Sequence, residues 1–231
     1  MLEGAKEKGP FTHAEHVRLY EQLGIAYAYL DKKEAAVDAF ETMLSLDRTR
    51  AISYTLSPKV TFLFEQARNQ VADRPAPSVD LSWPRDLAVE DTVPVDVEVL
   101  TDPGGFLTRA QVFFRKKGVS EFESASLELP GPGAGAARVE LPAVAAGDRA
   151  SAVLQLYLVA KDQKNNEVLF YGAPNRPREV SLVYQPPEPW YDRWWVWAIA
   201  GSVVAAGAGA AVFMATQEPP STIDGTFRVI R

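Results

Sequence analysis

The chain carries 24 Lys and Arg against 30 Asp and Glu in 231 residues, a formal net charge of −6 with a pI near 5.1. That balance argues against a nucleic-acid partner, and no basic stripe with interleaved aromatics occurs. Cysteine is absent, which excludes a disulfide framework, a thiol nucleophile and a zinc site built on thiolates.

Residues 1–10 hold Glu3, Lys6, Glu7 and Lys8 and no apolar run, so the sequence as written shows no secretory signal peptide. The expectation is either a tail-anchored chain with its bulk in the cytoplasm, or a Met1 that is an internal start in a longer precursor.

Residues 11–75 read as helical. Thr12 followed three residues later by Glu15 is a capping box that opens a helix. Val17, Tyr20, Leu23, Gly24, Tyr27 and Leu30 then recur at helical spacing. After Asp31-Lys32-Lys33 a second helix carries Ala35, Ala36, Ala39, Phe40, Met43 and Leu44. The set Tyr20, Leu23, Gly24, Tyr27, Ala36 and Phe40, closed by Leu46-Asp47, resembles a tetratricopeptide repeat. The resemblance implies that Gly24 and Ala36 lie where two helices cross closely, with Tyr20, Tyr27 and Phe40 filling the space around them. Asp31 stands in place of the usual turn glycine, and Arg48 in place of the closing proline. The repeat period of about 34 residues, stepped on from Gly24, lands on Pro58, so no second copy follows. Instead Ser57-Pro58 reads as an N-cap with proline at the first helical position. It opens a third helix with Val60, Phe62, Leu63, Phe64 and Ala67. A lone repeat leaves its hydrophobic face open, which calls for further repeats outside this chain or for a partner on that face. A self-sufficient three-helix domain is the alternative.

Pro75 and Pro77 mark a boundary, and the period becomes two over residues 77–186. The alternating runs are Val79, Leu81 and Trp83; Val93 to Val99; Ala110, Val112 and Phe114; Ala125, Leu127 and Leu129; Ala137, Val139 and Leu141; Leu154 to Ala160; and Val180, Leu182 and Tyr184. Turn chemistry such as Asp102-Pro103-Gly104-Gly105 ends them. Seven strands in 110 residues match an immunoglobulin-like or fibronectin-like sandwich, and the missing Cys pair favours the latter.

The stretch Ala110-Gln111-Val112-Phe113-Phe114-Arg115 with Gly118 and Phe122, then Val139-Glu140-Leu141-Pro142, then Leu156 through Asp162, and a closing Pro177, resembles a β-sandwich module of myxobacterial envelope proteins. In that group such a module follows tetratricopeptide repeats and precedes a Trp-rich membrane span. The resemblance implies an envelope location, with the soluble part in the periplasm provided a signal sequence lies upstream of Met1.

Features that carry chemistry are few. His13 and His16 share a helix face but have no further His or Cys to complete a metal site, so they read as solvated residues. Gly131-Pro132-Gly133-Ala134-Gly135 lacks a following Lys-Ser/Thr and a helix, and reads as a hairpin loop and not as a phosphate cradle. Asp162 with Asn165-Asn166 is compatible with a calcium site, although these are ordinary turn formers. No Ser/His/Asp set appears. The expectation is a protein that is not an enzyme and takes no cofactor.

Residues 194–215 form a 22-residue stretch without charge. At about 1.5 Å per residue a helix of that length spans a bilayer core. Trp190, Trp194, Trp195 and Trp197 cluster at one end with Arg193, as an interfacial anchor does. Twelve of the 22 positions are Gly, Ala or Ser, and Gly201, Ala205 and Gly209 line one ridge. Such a ridge lets two helices approach closely in a homodimer or larger complex, although an Ala-rich composition produces the same pattern without a partner. The flanking arginines are too evenly divided to set the topology. Residues 216–231 read as a short tail, disordered or adding a strand to a partner's sheet.

Taken together, the sequence predicts an α+β multidomain protein. Its parts are a tetratricopeptide-like α-hairpin plus a third helix (11–75), a seven-stranded Ig/fibronectin-like β-sandwich (77–186), a single transmembrane helix (194–215) and a tail (216–231). The functional expectation is a scaffold or adaptor that binds protein partners in a bacterial envelope complex and sits in the lipid bilayer. The alternative is a glycan- or peptidoglycan-binding module that uses sandwich-loop aromatics, with Phe106, Phe113, Phe122, Phe170 and Tyr171 as the residues to inspect, although most such aromatics are core or hairpin packing.

Overall fold

A computed structural model of the chain describes residues 8–144 and 151–185, together with Gly4 and Trp194. Met1–Gln185 form one compact unit. The rest of the uncharged stretch, including the Gly201, Ala205 and Gly209 ridge, lies outside the described residues, as do Trp190, Arg193, Trp195, Trp197 and the tail. Among the described residues no helix is long and apolar enough to cross a membrane.

Three helices open the chain: α1 (His13–Tyr29), α2 (Lys33–Leu46) and α3 (Pro58–Ala72). The capping box starts α1. The Thr12 N–H donates to Glu15 Oε2 at 3.0 Å, and the Glu15 N–H reaches the Thr12 hydroxyl at 3.5 Å. The Thr12 N–H and the Thr12 hydroxyl, both donating to Glu15 Oε2, hold the Glu15 carboxyl below its usual range. Helices α1 and α2 are joined through Asp31, whose φ of 63° is the left-handed conformation that a short polar side chain tolerates. Their crossing is close because Gly24 has no side chain: a Cβ there would lie 2.5 Å from Phe40 Cε1. The buried Phe40 ring in turn meets Phe64 edge-on, with centroids 5.6 Å apart.

Helix α3 starts after Ser57, whose side chain makes no capping bond; Pro58 removes one of the N–H groups that a cap would satisfy. It runs in the same direction as α2. Near its start Lys59 pairs with Asp31 before α2, and just past its end Arg74 pairs with Glu41 of α2 at 2.8 Å. Residues 47–57 therefore travel back along the bundle. They bury Ile52 and hold Arg50 to Glu21 through Nε and Nη2 at 2.9 and 2.6 Å.

The remaining described chain is β: β1 (Ser78–Ser82), β2 (Leu87–Ala88), β3 (Val93–Thr101), β4 (Arg109–Lys116), β5 (Glu123–Glu128), β6 (Ala136–Leu141), β7 (Ala152–Lys161), β8 (Glu167–Tyr171) and β9 (Arg178–Val183). One sheet has the order β1-β3-β6. The other is β2-β9-β7-β4-β5, with β8 also on β7. Period-two alternation places Val93, Val95, Val97 and Val99 of β3 inward, where they meet Val112, Leu156 and Leu158 in one buried cluster. The result is a sandwich-like arrangement of two sheets.

Two of these strands depart from the sequence expectation of seven. Strand β2 has only two residues and pairs parallel with β9, too short a run to show alternation. Strand β8 shares the edge of the long strand β7 with β9: β9 pairs with Ala152 to Leu156 and β8 with Leu158 to Lys161. The Gly131 to Gly135 segment does not close a hairpin. Strand β5 registers against β4 and β6 against β3, so this segment crosses from one sheet to the other. Gly133 and Gly135 take φ of 75° and 99° there, which favours glycine.

Candidate functional site

Among the described residues no group of three or more His, Asp or Glu is placed to hold a metal ion. The Asp162 carboxylate is engaged in its own turn. Its Oδ1 accepts from the Lys164 and Asn166 N–H groups, each at 2.8 Å, and its Oδ2 accepts from the Asn166 amide at 2.8 Å. With Asn165 at a φ of 64°, the segment is a tight β7–β8 connection.

That connection meets the start of α1 and corrects the reading of the histidines as solvated. His16 is only 3 % exposed, because it is pressed between α1 and β8. Its Nδ1 lies 3.2 Å from the Glu167 carbonyl oxygen, which can only accept, so Nδ1 carries the proton. Burial pushes the His16 pKa down, partly opposed by that carbonyl and by the nearby Asp162 charge. Glu167 is a clasp on the helix start. Its N–H donates to the Phe11 carbonyl at 3.0 Å, and its carboxylate accepts the His13 N–H at 3.0 Å. There it also faces the positive end of the helix dipole. Asn166, 4 % exposed, accepts the Phe11 N–H at 2.9 Å, and the His13 ring stands edge-on to Phe170 at 5.9 Å. A signal for His16 existed in the sequence. It falls four residues before Tyr20 and seven before Leu23, on the apolar stripe of α1.

Of the tetratricopeptide-like set, Leu23, Ala36 and Phe40 are fully buried, Gly24 lies against Phe40, and Tyr27 is buried with Lys32 Nζ 5.8 Å from its ring centroid. Tyr20 is placed differently. Its ring tilts against His16 at 5.4 Å and lines a cleft of about 230 Å³ with Phe106, Asp162 and Asn166. The clasp fixes one end of α1; the opposite end, about 25 Å away at the helical rise, is Tyr29 and Leu30.

At that far end a groove of about 560 Å³ lies between α2 and α3. It is lined by buried Val37 and Leu63, by Phe62, and by the charged side chains of Lys33, Glu34 and Lys59. Phe62 is 69 % exposed, Leu30 65 % and Tyr29 57 %. These are large apolar groups in water, and Phe62 lines the groove. Lys59 is held by Asp31, and its bond keeps the Asp31 carboxyl below its usual range.

Of the aromatics named as loop candidates, Phe106 and Phe122 lie on the loops before β4 and β5, and the other three lie in strands. Phe113 lies in β4 and stacks on Tyr157 of β7 at 4.7 Å and 4°, with Phe122 edge-on to the same ring at 5.0 Å. The Arg115 guanidinium covers Phe122 at 4.1 Å. Phe170 and Tyr171 lie in β8; Arg178 sits over Tyr171 at 5.1 Å, and Phe106 packs against the sandwich core. Tyr157, which organises this cluster, belongs to the outward set of β7 and is hidden in the sequence by the inward Leu154, Leu156 and Leu158.

No known family matches the chain, and no curated protein matches it. Among solved structures it is similar to the CARDB domain of a Pyrococcus furiosus protein, solved in complex with di-metal ions. The identity is 14 % over 46 % of this chain and 87 % of that one, with a TM-score of 0.28. It is also similar to a lipoprotein from Bacteroides thetaiotaomicron, at 13 % identity over 53 % of this chain and 89 % of that one, with a TM-score of 0.27. Both likenesses are too slight to carry a functional argument.

Proposed function

We propose that the chain is a non-catalytic scaffold or adaptor subunit of a multiprotein bacterial envelope assembly. A single membrane pass at residues 194–215 holds it, and protein partners bind the far end of its helical unit. The observation that carries this reading is Phe62, a large apolar side chain 69 % exposed beside the α2–α3 groove. Burying a phenylalanine against a partner contributes about 1.5–3 kcal/mol, enough to make it a dominant contact. The uncharged stretch with its Trp cluster supports the membrane anchor, and the two family resemblances support the tetratricopeptide-like and Ig/fibronectin-like readings and a periplasmic soluble part. The small-residue ridge supports helix association, which Gly201→Ile and Gly209→Ile should weaken in a membrane two-hybrid assay.

The test places a photo-crosslinking amino acid at Gln66, which lines the groove, in cells. Discrete cross-linked products are expected, and Phe62→Glu should abolish them while leaving the far-UV spectrum unchanged, since an exposed substitution alters stability by only about 0.5 kcal/mol. Products that persist in Phe62→Glu, or none in the parent, refute the reading. A protease-cleavable tag between Gly131 and Gly135 reads orientation. Cleavage from the periplasmic side is expected, and protection in spheroplasts overturns the periplasmic assignment.

A further inference from the structure

The helical unit and the sandwich have separate hydrophobic cores, with Leu46 partly buried against both. The rest of the junction comprises polar bonds from Asn166, Glu167 and His16 at the start of α1, the His13–Phe170 ring contact, and the clefts that Phe106 lines with α1 and α2 residues. The two halves are joined covalently by a short Pro75-Ala76-Pro77 connection. A junction of this kind can open without unfolding either core, because the two cores are separate clusters.

We propose that His16 is a pH-sensitive latch: proton uptake by its ring releases the start of α1 from β8 and lets the helical unit swing away from the sandwich. Neutral His16 fits the site. Its Nδ1–H satisfies the Glu167 carbonyl, and at 3 % exposure on the wall of the Tyr20–Phe106 cleft the ring has little contact with water to solvate a full charge. The carboxylates that face it are engaged elsewhere. From its own helix come His13 and Tyr20, the first of which repels a cation. From the β7–β8 connection come Asp162, Lys164 and Glu167. The Asp162 oxygens are already taken by the backbone and amide of its own turn, and the Glu167 carboxylate by the His13 N–H. Beyond α2, Asp47 acts on His13 and is held by Thr49. From the β3–β4 segment, Gly105 and Phe106 line the cleft without charge.

Burial lowers the pKa of docked His16, so the undocked state takes up a proton more readily. The docked form is therefore favoured above the ordinary imidazole value of about 6.5, and loses ground as pH falls from there through the docked value.

The cysteine-free chain makes the test direct. Spin labels at Asn69→Cys in α3 and Ser126→Cys in β5, both exposed, report the distance between the halves in the full chain held in detergent micelles. One narrow distribution is expected at pH 7.5 and a broad, longer one at pH 5.0. His16→Gln, whose amide can still donate to the Glu167 carbonyl, should stay narrow at both. A parent distribution that does not change, or a His16→Gln variant that broadens as the parent does, overturns the proposal. Where His16→Gln is already open at pH 7.5, the parent decides. Carbon-13 histidine spectra then give the His16 titration, whose midpoint must coincide with that of the distance change; separated midpoints overturn the latch.

Discussion

Replacing Gly24 by alanine should destabilise the helical unit, although alanine is the better helix former. In a helix interior the exchange would contribute about 1 kcal/mol of stability on propensity alone. The structure opposes it, because the new methyl would lie 2.5 Å from Cε1, 2.6 Å from Cδ1 and 2.8 Å from Cζ of Phe40. That ring is fully buried and braced by Phe64, so the helices must separate to admit the methyl. With three contacts under 3.0 Å, overpacking falls in the upper part of its usual range, about 2–3 kcal/mol, leaving a net loss of about 1–2 kcal/mol. Urea unfolding followed at 222 nm reports the change, since the described helices all lie in this unit. The double variant Gly24→Ala with Phe40→Leu supplies the control. Leucine leaves room for the methyl, so the two changes should couple favourably by about 1 kcal/mol. A Gly24→Ala protein as stable as its parent, or a strictly additive double variant, would show that the crossing is looser than the structure has it.

Asn166→Ala should loosen the clasp by leaving the Phe11 N–H without its acceptor, at a cost of about 1–3 kcal/mol. Hydrogen exchange should quicken over residues 11–17 and not in α3, and uniform change would refute the local account. Arg138→Ala removes the two-pronged pair with Asp96, at 2.7 and 2.9 Å across β3 and β6, and should weaken the sandwich at neutral pH. The bond from Arg138 holds the Asp96 carboxyl below its usual range, so the pair stabilises above about pH 3.9 and the contribution fades as pH falls through the folded value. Parent and variant should therefore converge in acid denaturation; a gap that stays constant with pH would exclude the linkage.

The three helices were legible because their apolar residues repeat at helical spacing and because Thr12 and Glu15 announce the first turn. The strands with clean alternation, such as Val93 to Val99, were legible for the same kind of reason. Strand β8 was not. Its run Glu167-Val168-Leu169-Phe170-Tyr171 shows no alternation, since Val168 enters the sandwich core while Phe170 on the other face meets His13. The crossing at Gly131 to Gly135 was hidden because glycine and proline signal a reversal of the chain without naming the sheet on either side. The clasp was hidden for a third reason: it joins residues 151 to 155 positions apart, and polarity alone suggests water as the partner of a histidine or an asparagine.

That separation also orders events during synthesis. The helical unit has its whole core by residue 72 and can fold while the rest of the chain is still being made. The clasp must wait until Asn166 and Glu167 have emerged. Throughout that interval the start of α1 faces water and other nascent chains. A hydrophobic junction would leave a sticky surface open for the time taken to add about 90 residues, roughly 5–18 seconds at 5–20 residues per second. Built from a histidine, backbone amides and a capping box, the same surface stays soluble until its partner arrives, so its polarity protects the unfinished protein from aggregation.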